Sequence, residues 1–325
     1  MDVLSDVLRA VRLTGAVYFD VTARAPWVAE TPATAHICAD IMPEFEHVIA
    51  FHIVLDGGCW AQLADHSEPA VCMNAGDAII LAGGEPHYMG SEQGVRATPD
   101  MSLYYRPKDR PLPFILNELG GTGTPARFVC GYLGCDARPF NPILGALPRL
   151  LHVRQADTGD LTHDLIRAAL QELERPRPGG ETILSKLSEL MFLRAVRHHI
   201  DNLPTEAKGW LSGLRDSHVG RALHLMHANP ADPWTLDLLA REIGLSRSAF
   251  AERFTELMGT PAMHYLANWR LQIAAQLLEG KNMSIAQAAA QVGYESEAAF
   301  NRAFKKRVGL PPGAWRRARM ADAQL

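Results

Sequence analysis

Hydrophobic and polar positions repeat along the last third of the chain, where one pattern occurs twice. Each copy has two phenylalanines four residues apart, a spacing that places both on one face of a helix, followed by a glycine and a proline. All four landmarks recur at an offset of 50 residues, which indicates a repeated structural unit. The landmark pairs are Phe250 and Phe300, Phe254 and Phe304, Gly259 and Gly309, and Pro261 and Pro311.

Each copy is typical of two helices joined by a tight turn. A short apolar-patterned helix is predicted to end at Gly244 in the first copy and at Gly293 in the second, because glycine accepts the left-handed conformation of a helix stop. A serine follows and can cap the next helix. Two helices joined in this way form the DNA-binding helix-turn-helix, whose second helix enters the major groove. The segment 261–279 between the copies predicts a rigid linker helix.

Strand-like runs dominate the chain before residue 137. A helical pattern covers residues 3–13, and short runs separated by Gly, Pro and Asp follow it, which favours a β-sandwich or barrel. The run 49–60 predicts a hairpin with Gly57 and Gly58 in its turn. Residues 89–126 show little periodicity and predict a long irregular excursion or lid. The predicted strands are 14–21, 36–41, 49–55, 59–64, 78–81 and 127–133.

Helical periodicity returns after residue 160. Two helices are predicted at 161–173 and 181–200, before a linker at 203–209 and a further helix at 218–228. Apolar residues form one stripe along the second of these helices, which is typical of a helix packed on a core. The stripe consists of Ile183, Leu184, Leu187, Leu190, Met191 and Val196.

Charge divides unevenly along the 325 residues. From residue 213 onward, 14 Lys and Arg residues stand against 10 Asp and Glu residues, whereas the first 212 residues carry 18 against 26. A mildly basic segment suits contact with DNA phosphates. The first residues lack the pattern of a signal peptide, and no run approaches the roughly 20 apolar residues of a membrane span, so we expect a cytoplasmic protein without membrane contact. The five cysteines are then expected to be reduced thiols.

The C-terminal third resembles the DNA-binding domain of the AraC/XylS transcription regulators. The resemblance spans residues 215–320 and rests on the segments 244–250, 269–271, 300–306 and 309–316. It implies two helix-turn-helix units held at a fixed separation by the linker helix.

A second resemblance lies upstream. The segment 76–87 is similar to the second conserved motif of cupin barrels, with Ala82 where that motif has proline and Ser91 where it has asparagine. A cupin barrel ahead of paired helix-turn-helix units is the architecture of many AraC-type regulators. In proteins of this layout, the helices that correspond to those predicted after residue 160 form the dimer contact, so the apolar stripe is open to that role as well as to core packing.

The two resemblances together imply an α+β protein. Its N-terminal part would be a cupin-like β-barrel with flanking helices, and its C-terminal part an all-α domain of two helix-turn-helix units joined by a linker helix. The implied domains are 1–204 for effector sensing and dimerisation, 205–216 as a linker, and 217–325 for DNA binding.

The resemblance also places base contacts on the exposed face of each second helix. Glu252 departs from the hydrogen-bond donor that many relatives carry at its position, and a carboxylate there can accept from the amino group of cytosine or repel the DNA backbone. In the second unit, Arg302 can donate two hydrogen bonds to guanine, and the adjacent lysines can contact phosphate. The expected DNA-binding residues are Arg247, Ser248, Ala251, Glu252, Glu297, Ala298, Asn301, Arg302, Lys305 and Lys306.

The sensor site is expected to be an apolar barrel interior with a few polar groups, closing over a small organic molecule. The expected effector-pocket residues are His52, Trp60, His87 and Tyr88. No cofactor is expected to be required.

Metal and thiol chemistry are alternatives at the sensor. Cupin enzymes hold metal with a His pair and a Glu on one motif and a His on the second, but the close His-x-His of the first motif is missing here. Cys130 and Cys135 could form a thiol or metal sensor, although their spacing within a strand is interpreted as placing both on one face as small core residues. The metal-ligand candidates are His47, His52, Glu85, His87, Cys130 and Cys135.

The sequence therefore predicts a DNA-binding transcription regulator, an activator because activation is the commoner mode of the family it resembles, and not an enzyme. Its expected partners are double-stranded DNA, a second copy of the chain in a homodimer, a small-molecule effector and, for an activator, RNA polymerase. Three alternatives stay open: a metal-dependent cupin enzyme with a DNA-binding tail, a thiol- or metal-sensing regulator that uses Cys130 and Cys135, and a constitutive architectural DNA binder with a degenerate barrel.

Overall fold

Contacts between residues divide the chain into two compact units. The computed structural model describes residues 2–104, 112–175, 177–279 and 283–322. The β-rich unit comprises Leu13–Cys135 and Leu147–His199, and the helical unit comprises Met1–Arg12, Asp136–Ala146 and Ile200–Leu325.

This division differs from the predicted domain boundaries in one respect. The helical unit resumes at Ile200, close to the predicted linker, but it also takes in the first 12 residues and the segment Asp136–Ala146. The assignment of functions to residues 1–204, 205–216 and 217–325 stays a prediction.

Twelve helices occur in the part of the chain that the structure describes, and most were predicted from helical periodicity. They are α1 (Val3–Ala10), α2 (Cys38–Ile41), α3 (Gln155–Glu174), α4 (Gly180–Asp201), α5 (Trp210–Arg215), α6 (Ser217–Ala228), α7 (Leu236–Glu242), α8 (Arg247–Met258), α9 (Ala262–Glu279), α10 (Ile285–Gln291), α11 (Glu297–Val308) and α12 (Pro312–Asp322).

Ten strands lie in the β-rich unit, among the described residues. They are β1 (Thr14–Arg24), β2 (Val28–Thr31), β3 (His47–Asp56), β4 (Gly58–Leu63), β5 (Val71–Asn74), β6 (Ala78–Leu81), β7 (His87–Gly90), β8 (Phe114–Gly120), β9 (Pro125–Cys135) and β10 (Leu151–Val153).

The strands pair into two sheets, which confirms the predicted cupin-like β-rich architecture. The six-stranded sheet has the order β10-β6-β3-β9-β1-β8, and the four-stranded sheet has the order β2-β7-β4-β5. The long strands β1 and β9 are antiparallel neighbours, and β8 adds to β1 in parallel. Because side chains alternate along a strand, Phe128, Cys130 and Tyr132 of β9 share one face, which contributes to the hydrophobic core of this unit.

The predicted hairpin at 49–60 is wrong. β3 belongs to the six-stranded sheet and β4 to the four-stranded sheet, so the turn between them carries the chain from one sheet to the other. Gly57 has the positive φ of +73° expected of the turn, and a Cβ there would lie 2.5 Å from the carbonyl oxygen of Pro125. The same apolar runs and turn residues suit a hairpin and a crossing between sheets, so the pattern alone does not separate them.

Two other strand-region predictions also need correction. The run 36–41 begins at the last residue of a 3-10 turn, Thr34–His36, and ends in α2. Buried Ile37, the N-cap of α2, and buried Ile41, its last residue, have the four-residue spacing of one helix face. The predicted irregular excursion at 89–126 includes the strand β8, and its residues 105–111 lie outside the described residues.

The predicted repeat is confirmed in the helical unit. Helices α7 and α8 form one helix-turn-helix and α10 and α11 the other, and α9 lies between them in the chain. Helices α8 and α11 both end at a left-handed glycine, Gly259 with φ of +67° and Gly309 with φ of +88°. The paired phenylalanines Phe250 and Phe254 are fully buried, as are Phe300 and Phe304, so they hold each unit together and do not contact bases.

Helix α9 also anchors the shorter segments of the helical unit. The side chain of Gln272 is almost fully buried, its Nε2 donates to the carbonyl oxygen of Ala10 at 2.7 Å, and its Oε1 accepts from the backbone N–H of Phe140 at 2.8 Å. Arg12 donates to both carboxylate oxygens of buried Asp136, at 2.6 and 2.8 Å. These hydrogen bonds hold the first residues and the segment Asp136–Ala146 within the same unit as the helix-turn-helix pair.

Candidate nucleic-acid interface and effector cavity

The second helix of each helix-turn-helix starts at a capping serine. Ser246 Oγ accepts from the backbone N–H of Ala249, and Ser296 Oγ accepts from that of Ala299, each at 3.2 Å. Each cap satisfies a backbone donor that has no partner inside the helix. These caps stabilise the exposed N-terminal turns of α8 and α11, which carry the first of the predicted base-contact residues.

Helix α8 exposes Arg247, Ser248 and Glu252, and Ala251 is half-buried. Its arginines already have acidic neighbours. Arg247 lies 3.5 Å from Asp237, measured from Nη1 to Oδ2, and Arg253 donates from Nε to both carboxylate oxygens of Asp216. This helix consequently offers DNA little unpaired positive charge.

Helix α11 presents a different electrostatic face. Glu297, Ala298 and Arg302 are exposed and Asn301 is half-buried, and the last turn adds exposed Lys305 and Lys306. Within the described ranges, no ion pair engages Arg302 or either lysine. These three cations are thus available to base edges and phosphates, whereas Arg307 donates from Nε to the carbonyl oxygen of Pro139 at 2.8 Å.

A cavity of about 630 Å³ lies in the β-rich unit and opens to solvent, where the lining residues Asp100, Ile115 and Asn117 are exposed. Strands of both sheets line it, because β1, β3, β8 and β9 belong to the six-stranded sheet and β2 to the four-stranded sheet. Its volume is in the range of pockets that hold a small organic molecule. The wall is formed by Phe19, Val21, Val28, Ala29, Glu30, Thr31, His52, Ala97, Thr98, Asp100, Leu103, Tyr104, Ile115, Leu116, Asn117, Leu119, Gly120, Phe128, Cys130 and Tyr132.

Of the four predicted effector-pocket residues, His52 lines this cavity. His87 contacts His52, whereas Trp60 and Tyr88 are absent from the wall. The hydroxyl of Tyr88 instead donates to the side chain of Gln62. Sequence reasoning missed the wall residues of β1, β2 and β8, because residues distant in sequence come together here without a local motif.

Cys130, His52 and His87 form a buried chain of hydrogen bonds. The Sγ atom of Cys130 lies 2.7 Å from Nδ1 of His52, and Nε2 of His52 lies 2.6 Å from Nε2 of His87. The chain ends where Nδ1 of His87 lies 2.8 Å from the carbonyl oxygen of Glu85.

One assignment of protons satisfies all three contacts with neutral groups. A carbonyl oxygen only accepts, so His87 donates to Glu85 from Nδ1 and presents Nε2 as an acceptor. His52 must then donate from Nε2, which leaves its Nδ1 to accept from the thiol of Cys130. The arrangement is therefore a neutral polar array at the cavity wall.

Burial keeps this array uncharged. It lowers the pKa of His87 to about 4 and lowers that of His52 well below its ordinary value, with the neighbouring His87 as a second cause for His52. Burial likewise raises the pKa of the Cys130 thiol. Each shift favours the neutral form, because an apolar interior solvates charge poorly.

The predicted metal ligands do not come together as a set. Nε2 of His47 lies 2.8 Å from the carbonyl oxygen of Ala82, and the carboxylate of Glu85 faces Arg149 at 3.5 Å. Among the described residues, no group of three or more His, Cys, Asp or Glu side chains is arranged to hold a metal ion.

The two cysteines of β9 do not share a face, contrary to the sequence-based interpretation. They are five residues apart, and an odd separation along a strand points side chains to opposite faces. Cys130 lines the cavity, whereas Cys135 is buried away from it. The structure thus separates the proposed Cys130 and Cys135 pair.

Comparison with known proteins covers both halves of the chain. A cupin family model matches residues 2–201, and a helix-turn-helix domain model matches residues 239–318. A Streptomyces lividans protein named an AraC-like transcription regulator is 30% identical over 320 residues, which is 98% of this chain and 98% of that protein. The chain belongs to the AraC-like transcription regulators.

Further similarities cover either the whole of this AraC-like regulator or its DNA-binding part. The HTH-type transcriptional regulator AlkR of Acinetobacter baylyi is 29% identical and is covered over 99% of its length by 97% of this chain. The solved DNA-binding domain of AdpA in complex with a target DNA is 26% identical over 33% of this chain and 95% of that chain, with a TM-score of 0.31.

The predicted recognition, fold class and regulatory function are confirmed by the two family models and the full-length relatives. This AraC-like regulator has an N-terminal cupin domain and binds double-stranded DNA through a C-terminal helix-turn-helix domain. Its relatives are named as transcription regulators. None of its described helices is both long and apolar enough to cross a membrane.

Proposed function

We propose that this AraC-like regulator is a cytoplasmic transcription activator that binds a two-part operator and responds to a small molecule held in the β-rich unit. The observation that carries the proposal is one chain with two components. It has a cavity of about 630 Å³ and two exposed, serine-capped helices on repeated helix-turn-helix units. It would act by binding alone, with no catalytic step and no required cofactor.

Helix α11 would supply most of the DNA affinity. Arg302 can donate two hydrogen bonds to a guanine, while Lys305 and Lys306 neutralise phosphates. Helix α8 would contribute mainly through the N-terminal residues Arg247 and Ser248. Helix α9, which has 18 residues and therefore measures about 27 Å, supports two contacts spaced by roughly one turn of duplex.

A homodimer is supported by the apolar stripe of α4, which divides into two parts. Leu184 and Val196 are buried within the chain, whereas Ile183 and Leu190 are 45% and 40% exposed. These two exposed residues are seven positions apart and lie on one face of the helix. A second copy of the chain would cover them, and Ile183→Glu together with Leu190→Glu would convert a dimer to a monomer in sedimentation velocity.

The function is tested by capturing fragmented genomic DNA of the source organism on the full-length protein at about 150 mM salt, where non-specific phosphate binding is weakened. We expect enrichment of a few fragments that share a two-part site. Transcription from those fragments with purified RNA polymerase should rise when the regulator is added. Repression would contradict the proposed activation. Enrichment without sequence preference would contradict the proposed role as a sequence-specific regulator.

Substitution of Arg302 tests the base contact on an enriched site. Arg302→Ala should weaken binding by about 1–3 kcal/mol and relax the preference at one base position. Arg154→Ala provides the matched control, because Arg154 is an exposed arginine at the start of α3 that pairs with Asp157. If Arg302→Ala binds all sites like the unmodified protein, the assignment to Arg302 is wrong.

Thiol sensing is a second candidate mechanism, because Cys130 lies on the cavity wall. It would require the thiol to leave its hydrogen bond to His52, since burial there raises its pKa and disfavours the reactive thiolate. It would operate through Cys130 without Cys135. A Cys130→Ser variant that keeps the full response to the effector would exclude it. Metal analysis of the purified protein would separate the regulator from a metal-dependent cupin enzyme.

A further inference from the structure

We propose that the cavity of the β-rich unit selects an uncharged, largely apolar molecule, such as a hydrocarbon or an aromatic compound with at most one weak hydrogen-bonding group. This inference rests on the proposed function of the cavity as the effector site. It concerns the class of ligand, which follows from the charges and the hydrogen bonds of the wall.

The charged groups of the wall disfavour an anion. Among the described wall residues, Glu30 and Asp100 are acidic and none is Lys or Arg. The carboxylate of Glu30 accepts from Nε of Arg96 at 2.9 Å, so this charge is already paired. An anionic ligand entering the cavity would lose part of its hydration shell and gain no free cation from these residues.

A cation finds little compensation either. The Oδ1 atom of Asp100 accepts from the backbone N–H and the hydroxyl of Ser102, at 3.0 and 2.7 Å, and the carboxylate of Glu30 is committed to Arg96. Both carboxylates thus lie in local hydrogen-bonded arrangements. An ammonium group that left water for this wall would therefore meet only carboxylates that already accept hydrogen bonds from the protein.

The buried polar groups without charge also have hydrogen-bond partners within the protein. The thiol of Cys130 is paired with His52, the hydroxyl of Tyr104 is hydrogen-bonded to Thr31 and Tyr132, and Asn117 accepts from Thr22. In the described part of the wall, no buried side-chain oxygen or nitrogen lacks a partner. A ligand rich in donors and acceptors would therefore find few free partners among the buried side chains of the wall.

The remaining wall is apolar. Side chains from both sheets contribute, among them Phe19, Val21, Val28, Leu116 and Phe128. Burial of apolar ligand surface against them is the favourable term left once charge and hydrogen bonding are excluded.

A displacement assay with matched ligands tests this class. The full-length protein is loaded with the neutral dye N-phenyl-1-naphthylamine, whose fluorescence rises in an apolar site. The dye is then displaced with 1-methylnaphthalene, 1-naphthoate or 1-naphthylmethylammonium, which share one ring system and differ in charge. We expect 1-methylnaphthalene to displace the dye at a concentration at least tenfold lower than either ion.

Two single substitutions each place a cation in the cavity wall, one on a strand of each sheet. Leu116→Arg and Val28→Arg should each raise the affinity for 1-naphthoate and lower that for 1-methylnaphthalene, so that the preference narrows or reverses. Leu310→Arg adds the same charge at an exposed position of the helical unit and should change neither value. Circular dichroism and thermal unfolding establish that each variant is folded, and the two sheets provide independent positions if one variant is not.

The outcomes separate the ligand class from the proposed function. Displacement by either ion as strong as that by 1-methylnaphthalene would overturn the inference. A dye that fails to bind would also overturn it, and so would a preference for 1-methylnaphthalene over 1-naphthoate that both arginine variants leave unchanged. Affinity for an enriched operator is measured in parallel with each naphthalene. If a charged analogue alone alters operator affinity, the sensor stands and the class is wrong. If 1-methylnaphthalene binds without altering operator affinity, the class stands and the proposed regulation fails.

Discussion

The buried side chain of Cys130 lines the cavity and also belongs to a chain of hydrogen bonds inside the protein. Its thiol is the donor that matches the acceptor Nδ1 of His52, and His52 in turn is the donor to His87. Removal of one member leaves a buried polar atom without its partner, which costs more than the hydrogen bond itself contributes.

Substitutions at Cys130 should therefore differ by whether they keep a donor. We expect Cys130→Ala to lower the free energy of unfolding of the β-rich unit by about 1–3 kcal/mol, because Nδ1 of His52 loses its donor. Cys130→Ser keeps a donor of similar size and should cost less. Urea unfolding followed by circular dichroism measures both, and equal losses for alanine and serine would show that the hydrogen bond is unimportant.

The two histidines predict loss of stability in acid. Burial lowers the pKa of His87 to about 4, and that of His52 is also lowered, while both would titrate near 6.5 in the unfolded chain. Between pH 6.5 and about 4 the unfolded state binds protons that the folded state excludes. The free energy of unfolding therefore decreases as the pH is lowered through this range, by up to about 1.4 kcal/mol per pH unit for each histidine. Above pH 6.5 this contribution is constant.

Thermal unfolding between pH 8 and pH 4 measures this slope. His87→Gln should flatten it, because one titrating group is removed. His36→Gln changes an exposed histidine of the same unit and serves as the control. An unchanged slope in His87→Gln would contradict the assignment.

At the scale of elements, the two helix-turn-helix units share a pattern but not their surroundings. Gly244 and Gly293 end the first helices with φ of +75° and +80°. An added Cβ at Gly244 would have no heavy atom within 4 Å, whereas one at Gly293 would lie 2.5 Å from the carbonyl oxygen of Ala231. The first turn is open and the second is packed against backbone.

Alanine substitutions should therefore separate backbone conformation from packing. Gly244→Ala should cost about 1–2 kcal/mol, the penalty of a left-handed alanine. Gly293→Ala should cost more, since the backbone at Ala231 must also move. Thermal unfolding of the helical unit provides the comparison, and equal costs would mean that Ala231 yields freely.

Helices α8 and α11 should also differ in how salt affects DNA binding. Lys305→Ala combined with Lys306→Ala should reduce the slope of log affinity against log salt by about 1–2, because each lost phosphate contact contributes about 0.9. Arg247→Ala should change it less, since Asp237 already faces this arginine. Fluorescence anisotropy at several salt concentrations tests the contrast, which would disappear if α8 carried as many phosphate contacts as α11.

Elements with local signals could be predicted from the sequence. Helix caps, left-handed glycines and inward phenylalanines all lie within a few residues of one another, so both helix-turn-helix units were identified. The strand β8 was missed because its partner is remote: Phe114 pairs with Phe19. The cavity depends on such remote pairings, so of its wall only His52 was among the predicted pocket residues.

At the scale of the whole molecule, Gln272 shows that the helical unit depends on more than its C-terminal residues. This buried amide in α9 is hydrogen-bonded to Ala10 and Phe140, which lie far from it in sequence. A fragment that starts at residue 205 would lack both partners.

This dependence can be measured with one substitution in two backgrounds. Gln272→Ala should destabilise the helical unit in the full chain by about 1–3 kcal/mol, because the carbonyl of Ala10 and the N–H of Phe140 lose their partner. In the fragment 205–325 the same substitution should have little effect, since those partners are absent. Differential scanning calorimetry compares the two, and equal effects in both backgrounds would contradict a role for Ala10 and Phe140.

The chain passes from one compact unit to the other four times, after Arg12, Cys135, Ala146 and His199. A regulator whose chain passes between its two units only once can exchange its sensor by one recombination event. An engineered chimera of such a regulator needs only one junction. Here a single junction near residue 205 would combine an incoming sensor with an α9 that has lost Ala10 and Phe140. Transplanting the specificity of this cavity therefore calls for moving the strands and keeping the first residues and the middle segment with the DNA-binding helices.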